Sequence, residues 1–419
     1  MSVFFYNIFL LLFKVGIQAA ALFNKKAKKW VGGRKNIFER LERVMPRGEK
    51  IIWMHCASLG EFEQGRPVIE KLKMIEPGCK ILLTFFSPSG YEVQKDYTGA
   101  DWVFYLPMDG PRNAKRFLEI TKPRLVIFVK YEFWYYYLKK IKYRNIPLLL
   151  ISANFRKDMS FFKWHGSLQR KMLTRFDHLF VQNQTSKDLL DDLGFTAICS
   201  VSGDTRFDRV IEIANKFEPL LLVEKFINNK KVLVAGSTWK PDEDLLKNCH
   251  AFLQSHNIKI IIAPHEVDKD HIQELLKLFP GSILYSSLSS QKTGEDADVL
   301  IIDSIGILSR LYNYGYACYV GGGFSRTGIH NVPEAAVYNK PVFFGPNYLK
   351  YSEAVGLVNA KGVFSITNKE ELMFVLNNFL LDPALYNTTA GLAGNYIRDN
   401  SGAAQKIVDF IQEKRLLTN

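Results

Sequence analysis

From residue 50 onward the chain alternates short apolar runs with amphipathic stretches. Runs at Ile51–His55, Ile81–Phe85, Trp102–Tyr105, Leu125–Val129, Leu148–Ile151, Leu179–Val181 and Ile198–Val201 read as strands. Between them, Pro67–Ile75, Arg112–Thr121 and Ser186–Leu193 carry apolar residues at helical spacing. Strands that are apolar throughout, separated by helices, predict a parallel sheet covered on both faces. The pattern fades over residues 207–230, which are charged and irregular, and this predicts a domain boundary. It resumes at Val232–Ala235, Ile258–Ala263, Ile283–Tyr285, Val299–Ile302, Cys318–Val320 and Val342–Phe344, and helices are predicted from Lys369 to Arg415. The expectation is an α/β protein of two doubly wound, Rossmann-like domains facing a cleft. The first spans 25–210, a linker covers 211–230, and the second spans 231–419.

Residues 1–24 (MSVFFYNIFLLLFKVGIQAAALFN) form the one long apolar stretch, with Lys14 near its middle and Lys25, Lys26, Lys28, Lys29, Arg34 and Lys35 just after it. A cleaved signal peptide carries its charges before the apolar run, so this order argues for a membrane anchor. A lysine at the centre of a span costs about 2.5–3.5 kcal/mol. Both a single span and a helix partly sunk into one leaflet therefore stay open, as does a core helix packed on the domain. Under either membrane reading the basic cluster meets anionic headgroups on the cytoplasmic face of the inner membrane.

Composition sharpens this only in part. The 419 residues are 47% hydrophobic and 23% charged, which excludes disorder and a polytopic membrane protein. Lys plus Arg exceed Asp plus Glu by 55 − 42, a net +13, which asks for a polyanionic partner. Five scattered cysteines without CxxC spacing exclude a disulfide scaffold and a zinc ribbon.

In doubly wound sheets ligands sit beyond the carboxyl ends of the strands, so chemistry is sought there. HCASLGEFEQG (55–65) places Glu61 at a helix start after the first strand. It is either a capping carboxylate interacting with the helix dipole or a general base. YVGGGFSRTGIHNVPEAAV (319–337) places Gly321, Gly322 and Gly323 after a strand, with Glu334 in the helix that follows. Such glycines let backbone amides approach a phosphate, and Glu334 can accept from ribose hydroxyls. The spacing is not that of a dinucleotide fingerprint. SPSG (87–90), KYEFWY (130–135), SANFR (152–156), SGDTRFD (202–208), AGSTWKPDE (235–243) and APHE (263–266) also follow strands. The chain has no metal-ligand spacing, G-x-S-x-G or P-loop, so no metal or cofactor is expected.

With these motifs together the chain resembles the Kdo transferases, which move 3-deoxy-D-manno-octulosonic acid (Kdo) from CMP-Kdo to the lipid A precursor. The likeness rests on ASLGE, SPSG, YLPMD, KPRLVIF with EFW, SANFR, the Gly-x-x-Arg-Phe-Asp segment, AGST and, most specifically, GGGF…GIHNVPEAA…PVFFGPN. The resemblance implies a GT-B fold, Glu61 as base, and direct inversion at the anomeric carbon. It implies CMP binding by Asn331, Val332, Pro333 and Glu334, and by Pro264 and His265, where the family has Pro-Arg. Arg206 stands in place of the family's lysine. Two positions depart from the family: Lys130 replaces the first acid of Glu-x-Glu-Leu-Trp, and Ile305-Gly306-Ile307, which the resemblance also implies for CMP binding, replaces Met-Gly-Glu.

The expected function is therefore metal-independent transfer of Kdo from CMP-Kdo to lipid IVA in lipopolysaccharide inner-core synthesis, with catalytic roles at Glu61, Arg206 and Lys130. The expected partners are the donor, the acceptor and the anionic membrane surface, but not nucleic acid. The alternatives are a GT-B enzyme that uses a UDP-sugar, such as a lipid A disaccharide synthase, and a non-catalytic basic protein of the membrane surface.

Overall fold

The computed structural model describes residues 3–46, 48–289, 294–326 and 328–417. The first two residues of the expected anchor, Thr327 of the glycine-rich motif and the last two residues of the chain lie outside them. The chain divides into two compact units, Met1–Arg209 with Ser401–Asn419, and Val210–Asn400.

The first unit holds a seven-stranded sheet: β1 (Ile51–Cys56), β2 (Lys80–Phe85), β3 (Trp102–Tyr105), β4 (Leu125–Val129), β5 (Leu148–Ala153), β6 (His178–Val181) and β7 (Cys199–Val201). Their spatial order is 3-2-1-4-5-6-7 and every pair is parallel. All residues of β1 and β4 are buried, as strands covered on both faces must be. The order reverses between β1 and β4, so the crevice for a ligand is expected beyond the ends of those two strands.

The second unit repeats the plan with β8 (Lys231–Thr238), β9 (Ile258–Pro264), β10 (Ile283–Leu284), β11 (Val299–Ile301), β12 (Ala317–Val320), β13 (Val342–Phe344) and β14 (Val363–Ser365). Its order, 10-11-9-8-12-13-14, is again all parallel and reverses between β8 and β12.

Two of the expected domain bounds need correction. Residues 211–230 are not an irregular linker, because they carry the last five residues of the helix Thr205–Asn215 and all of the helix Leu221–Ile227. The latter buries Val223 and Phe226, which local charge in the sequence obscures. The tail does not end the second domain. The helix Ala403–Glu413 buries Ala404, Ile407, Val408 and Ile411 in the first unit's core, beside Ile52, Met54 and Ile127. Asp208 fixes it there by accepting from the amides of Gly402 (2.9 Å) and Ala404 (3.2 Å).

Three helices precede β1: α1 (Val3–Ala20), α2 (Lys25–Gly32) and α3 (Ile37–Val44). By length and composition α1 is able to cross a membrane, and only 11% of its apolar window is buried. One face docks on the first unit. Tyr6 and Leu10 are buried there, Tyr6 donates to Asp109 (2.7 Å), and Phe13 packs on Trp30 and Phe86. The opposite face leaves Phe4 67%, Leu12 65% and Val15 56% exposed, and Phe23 beyond it 92%. Asp109 also accepts from the amides of Tyr136 and Tyr137, two bonds that do not involve α1. Deleting residues 1–24 should give a folded, more soluble protein with CMP affinity retained. Fractionation with membranes, unchanged from the full chain, would contradict an anchoring role.

Candidate functional site

In the first unit, α4 (Leu59–Ile75) starts directly after β1, with Ser58 as N-cap and Glu61 in its third position. The pairing is the reverse of a capping box. Ser58 makes no side-chain cap bond; instead its hydroxyl donates to Glu61 Oε2 (2.7 Å). Glu61 is half-buried at the carboxyl end of the sheet, its carboxylate held by a side chain and not spent on helix amides.

Beyond β4 lie the other acid and base groups of this edge. Lys130 takes φ +67°, a left-handed conformation that a residue with a side chain adopts only under constraint. Ser152, at the same level in β5, has φ +54°. Glu132 is buried and accepts from Trp134 Nε1 (2.5 Å), and its Oε2 lies 2.9 Å from His55 Nε2. The other ring nitrogen of His55, which is wholly buried, lies 2.9 Å from Thr84 Oγ1. This network joins the ends of β1, β2 and β4.

After β7, Asp204 is buried and receives Arg206 through Nε (2.9 Å), Nη2 (2.6 Å) and the backbone amide (3.0 Å). Burial alone pushes the Asp204 carboxyl up, but Arg206 and, more weakly, Lys130 outweigh it and hold it below the usual range. The two candidate cations thus share one buried carboxylate. Sequence reading found Glu61, Lys130 and Arg206 but passed over Asp204, Glu132 and His55. Asp204 stood inside the SGDTRFD motif; burial, its deciding property, is not visible in sequence.

In the second unit, the ends of β8 and β12 flank the reversal. Trp239 follows β8 and stacks on His265 (4.7 Å), which stacks on His330 (4.3 Å). Trp239 Nε1 donates to His330 Nε2 (3.1 Å), which fixes that nitrogen as an acceptor. Burial, with His265 adding to it, lowers His330 to about 4, so it is neutral at physiological pH. Pro264 is buried at the end of β9, and His265 beside it is exposed.

The glycine run has a packing role beside any ligand role. A Cβ on Gly321 would lie 2.3 Å from Ser237 O, and one on Gly323 2.5 Å from Gly345 N. The Gly321 amide bonds Gly236 O (2.9 Å) and the Gly322 amide bonds buried Asp242 (2.9 Å). Two of the three amides expected to meet a phosphate are therefore spent within the protein.

Asn331 Nδ2 donates to Glu334 Oε1 (2.7 Å), while Asn331 Oδ1 is buried and accepts no hydrogen bond among the described residues. A buried acceptor left open is a place for a ligand donor. Val332 and Pro333 are buried, so they act through backbone and packing. Ile305 is 86% exposed, Gly306 has φ +97°, and Ile307 caps the short helix Leu308–Leu311. Among the described residues no three His, Cys, Asp or Glu side chains are grouped to hold a metal.

Residues 35–209 match the family model described as 3-deoxy-D-manno-octulosonic-acid transferase (kdotransferase). Over that span the chain is similar to the Kdo transferase family. It is 28% identical over 353 residues to the 3-deoxy-D-manno-octulosonic acid transferase of Aquifex aeolicus, covering 82% of this chain and 91% of that protein. It is 25% identical to the Haemophilus influenzae enzyme of the same name, covering 86% of each. Members of this family are glycosyltransferases. The fold is that of GT-B proteins. It is similar to the UDP-GlcNAc 2-epimerase of Neisseria meningitidis (TM-score 0.62, 16% identity, 87% of this chain and 100% of that one). A glycosyltransferase from Rickettsia africae is similar to a like degree (TM-score 0.58, 15% identity, 89% and 100%).

Proposed function

We propose that this protein is a Kdo transferase that moves Kdo from CMP-Kdo to a phosphorylated lipid A precursor, lipid IVA, at the cytoplasmic face of the inner membrane. The observation that carries the reading is at the β1/β4 reversal. There a helix-start glutamate, Glu61, is held by Ser58 and left chemically available on the same sheet edge as Lys130 and Arg206. Glu61 takes the proton from the attacking sugar hydroxyl. Arg206 and Lys130 supply positive charge for the donor's carboxylate and departing phosphate, a preorganised contribution that needs no metal. Lys130 brings a cation where the family has an acid, so its role here is electrostatic. The donor's nucleotide is the task of the second unit, through Asn331, Glu334, Pro264 and His265. The exposed apolar face of α1 and the net +13 serve a membrane-held, anionic acceptor.

The nucleotide assignment is tested by calorimetry. CMP should bind and UMP should bind more weakly. Glu334→Ala should weaken CMP by about 1–3 kcal/mol, because ribose hydroxyls lose their acceptor. Unchanged CMP affinity would move the nucleotide elsewhere, and preference for UDP over CMP would favour a UDP-sugar donor.

A further inference from the structure

A cavity of about 320 Å³ lies between the second half of α1, α2, the start of α3 and the loop before residue 113, all within the first unit. Its size is that of a small-ligand site. Its walls are of two kinds. Ile17, Trp30, Val31, Phe38 and Met108 give it an apolar side, while Lys14, Arg34, Lys35 and Arg116 bring cations. The one acid in the lining among the described residues is Glu39.

Arg116 is matched by Glu42 (3.0 Å), but Lys14, Arg34 and Lys35 have no carboxylate within ion-pair distance among the described residues. Arg34 is the most constrained of them. Its carbon lies 3.8 Å from the Trp30 ring and 4.7 Å from Tyr105. Its donors reach the carbonyls of Leu106 (2.8 Å), Trp30 (3.1 Å) and Phe86 (2.8 Å). Three of its five N–H bonds are thus taken by neutral acceptors, leaving its charge uncompensated. Burial lowers its guanidinium to about 9, which leaves it cationic at neutral pH. Lys14, the one charge on an otherwise apolar helix, opens onto this cavity, which accounts for a lysine in that position.

We propose that this cavity binds the phosphate of an anionic membrane phospholipid, with Lys14, Arg34 and Lys35 around the headgroup and the first acyl methylenes against Ile17, Val31 and Phe38. Charge and apolarity side by side suit a phosphodiester attached to a chain. A free phosphate would leave the apolar wall unused. The cavity adjoins α1, whose exposed apolar face meets the same leaflet. A lipid there sets how the anchor sits. Arg34 bonds Phe86 O, and the next residue's amide bonds Ala57 O (2.7 Å) in the turn that leads into α4, whose first turn holds Glu61. The inference rests on the reading of α1 as a membrane-associated helix.

The test is co-sedimentation of the full chain with vesicles of phosphatidylcholine, with and without phosphatidylglycerol. The full chain should prefer the anionic vesicles. Two lysines in a diffuse anionic-surface field are worth about 30-fold, about 1 kcal/mol each, so Lys14→Gln with Lys35→Gln should cut that preference by clearly more than about 30-fold. Lys25→Gln with Lys28→Gln removes the same charge from the same segment outside the cavity and should cut it by no more than about 30-fold. Equal losses in the two pairs would overturn the site in favour of a diffuse field, as would equal binding to both vesicles. Loss of the preference on adding millimolar inorganic phosphate at constant ionic strength would assign the cavity to free phosphate and overturn the lipid. Preference restored only by lipid A precursor in the vesicles would assign it to the acceptor. Absence of binding to every vesicle would instead refute the membrane reading of α1.

Discussion

Glu61→Gln should lower the rate of Kdo transfer by about 10²–10⁴-fold, the usual worth of a general base. The substitution keeps the size of the side chain, and its amide oxygen still accepts from Ser58, whose hydroxyl now donates to Glu61 at 2.7 Å. Only the capacity to take a proton is lost. CMP affinity should hold, because the residues proposed for the nucleotide belong to the second unit. Thermal stability should change little, since a carboxylate in a first helical turn contributes about 0.3–1 kcal/mol. A capping carboxylate would behave in the opposite way, losing stability and keeping activity. Transfer within a few-fold of the original rate, with a measurable drop in melting temperature, would remove Glu61 from the chemistry.

Arg206→Gln should have the second largest effect, a fall of about 10²–10³-fold in kcat/KM, as when one preorganised donor is removed from a developing anion. It should also destabilise. Asp204 is buried and takes three bonds from Arg206, two of them from the guanidinium. Breaking a buried pair costs about 3–5 kcal/mol, but the Arg206 side chain is 22% exposed and Lys130 still acts on Asp204, so about 1–3 kcal/mol is expected. The pH dependence has a definite sign. The carboxyl of Asp204 is depressed in the folded state, so its contribution is fully present above about pH 4, the unfolded value, and is lost as pH falls through the folded one. In Arg206→Gln that acid-side contribution should shrink, seen as a flatter dependence of melting temperature on pH below about pH 4. Arg206→Lys keeps the charge and should retain activity within about tenfold, at the cost of the two-pronged bond. Activity equally lost in both variants would make Arg206 a structural partner of Asp204 alone.

Continuous apolar runs marked the strands well because parallel strands buried on both faces have little room for polar residues. Trp102–Tyr105, Leu125–Val129 and Val342–Phe344 coincide with their sequence runs to the residue. Val363–Ser365 escaped notice as a three-residue edge strand, too short to carry a period. The tail shows a different limit. Ala404, Ile407, Val408 and Ile411 spell out a helix stripe, but periodicity does not say which sheet the stripe covers. The candidate site was legible where a charged residue follows a strand, as Glu61, Lys130 and Arg206 do. It was illegible where burial decides, as for His55, Glu132 and Asp204. The glycines of 321–323 were read for phosphate contact, yet close approach of Ser237 and Gly345 backbone already requires them. A sequence shows that a Cβ is missing, not which neighbour excludes it.

Transfer of Kdo from CMP-Kdo to lipid can be observed directly. The direct measurement is incubation of the full chain with CMP-Kdo and lipid IVA in vesicles, with the lipid product weighed by mass spectrometry. The product should be heavier by Kdo residues, with release of one CMP for each residue added. Unmodified lipid, with CMP-Kdo intact and a UDP-sugar consumed in its place, would contradict it.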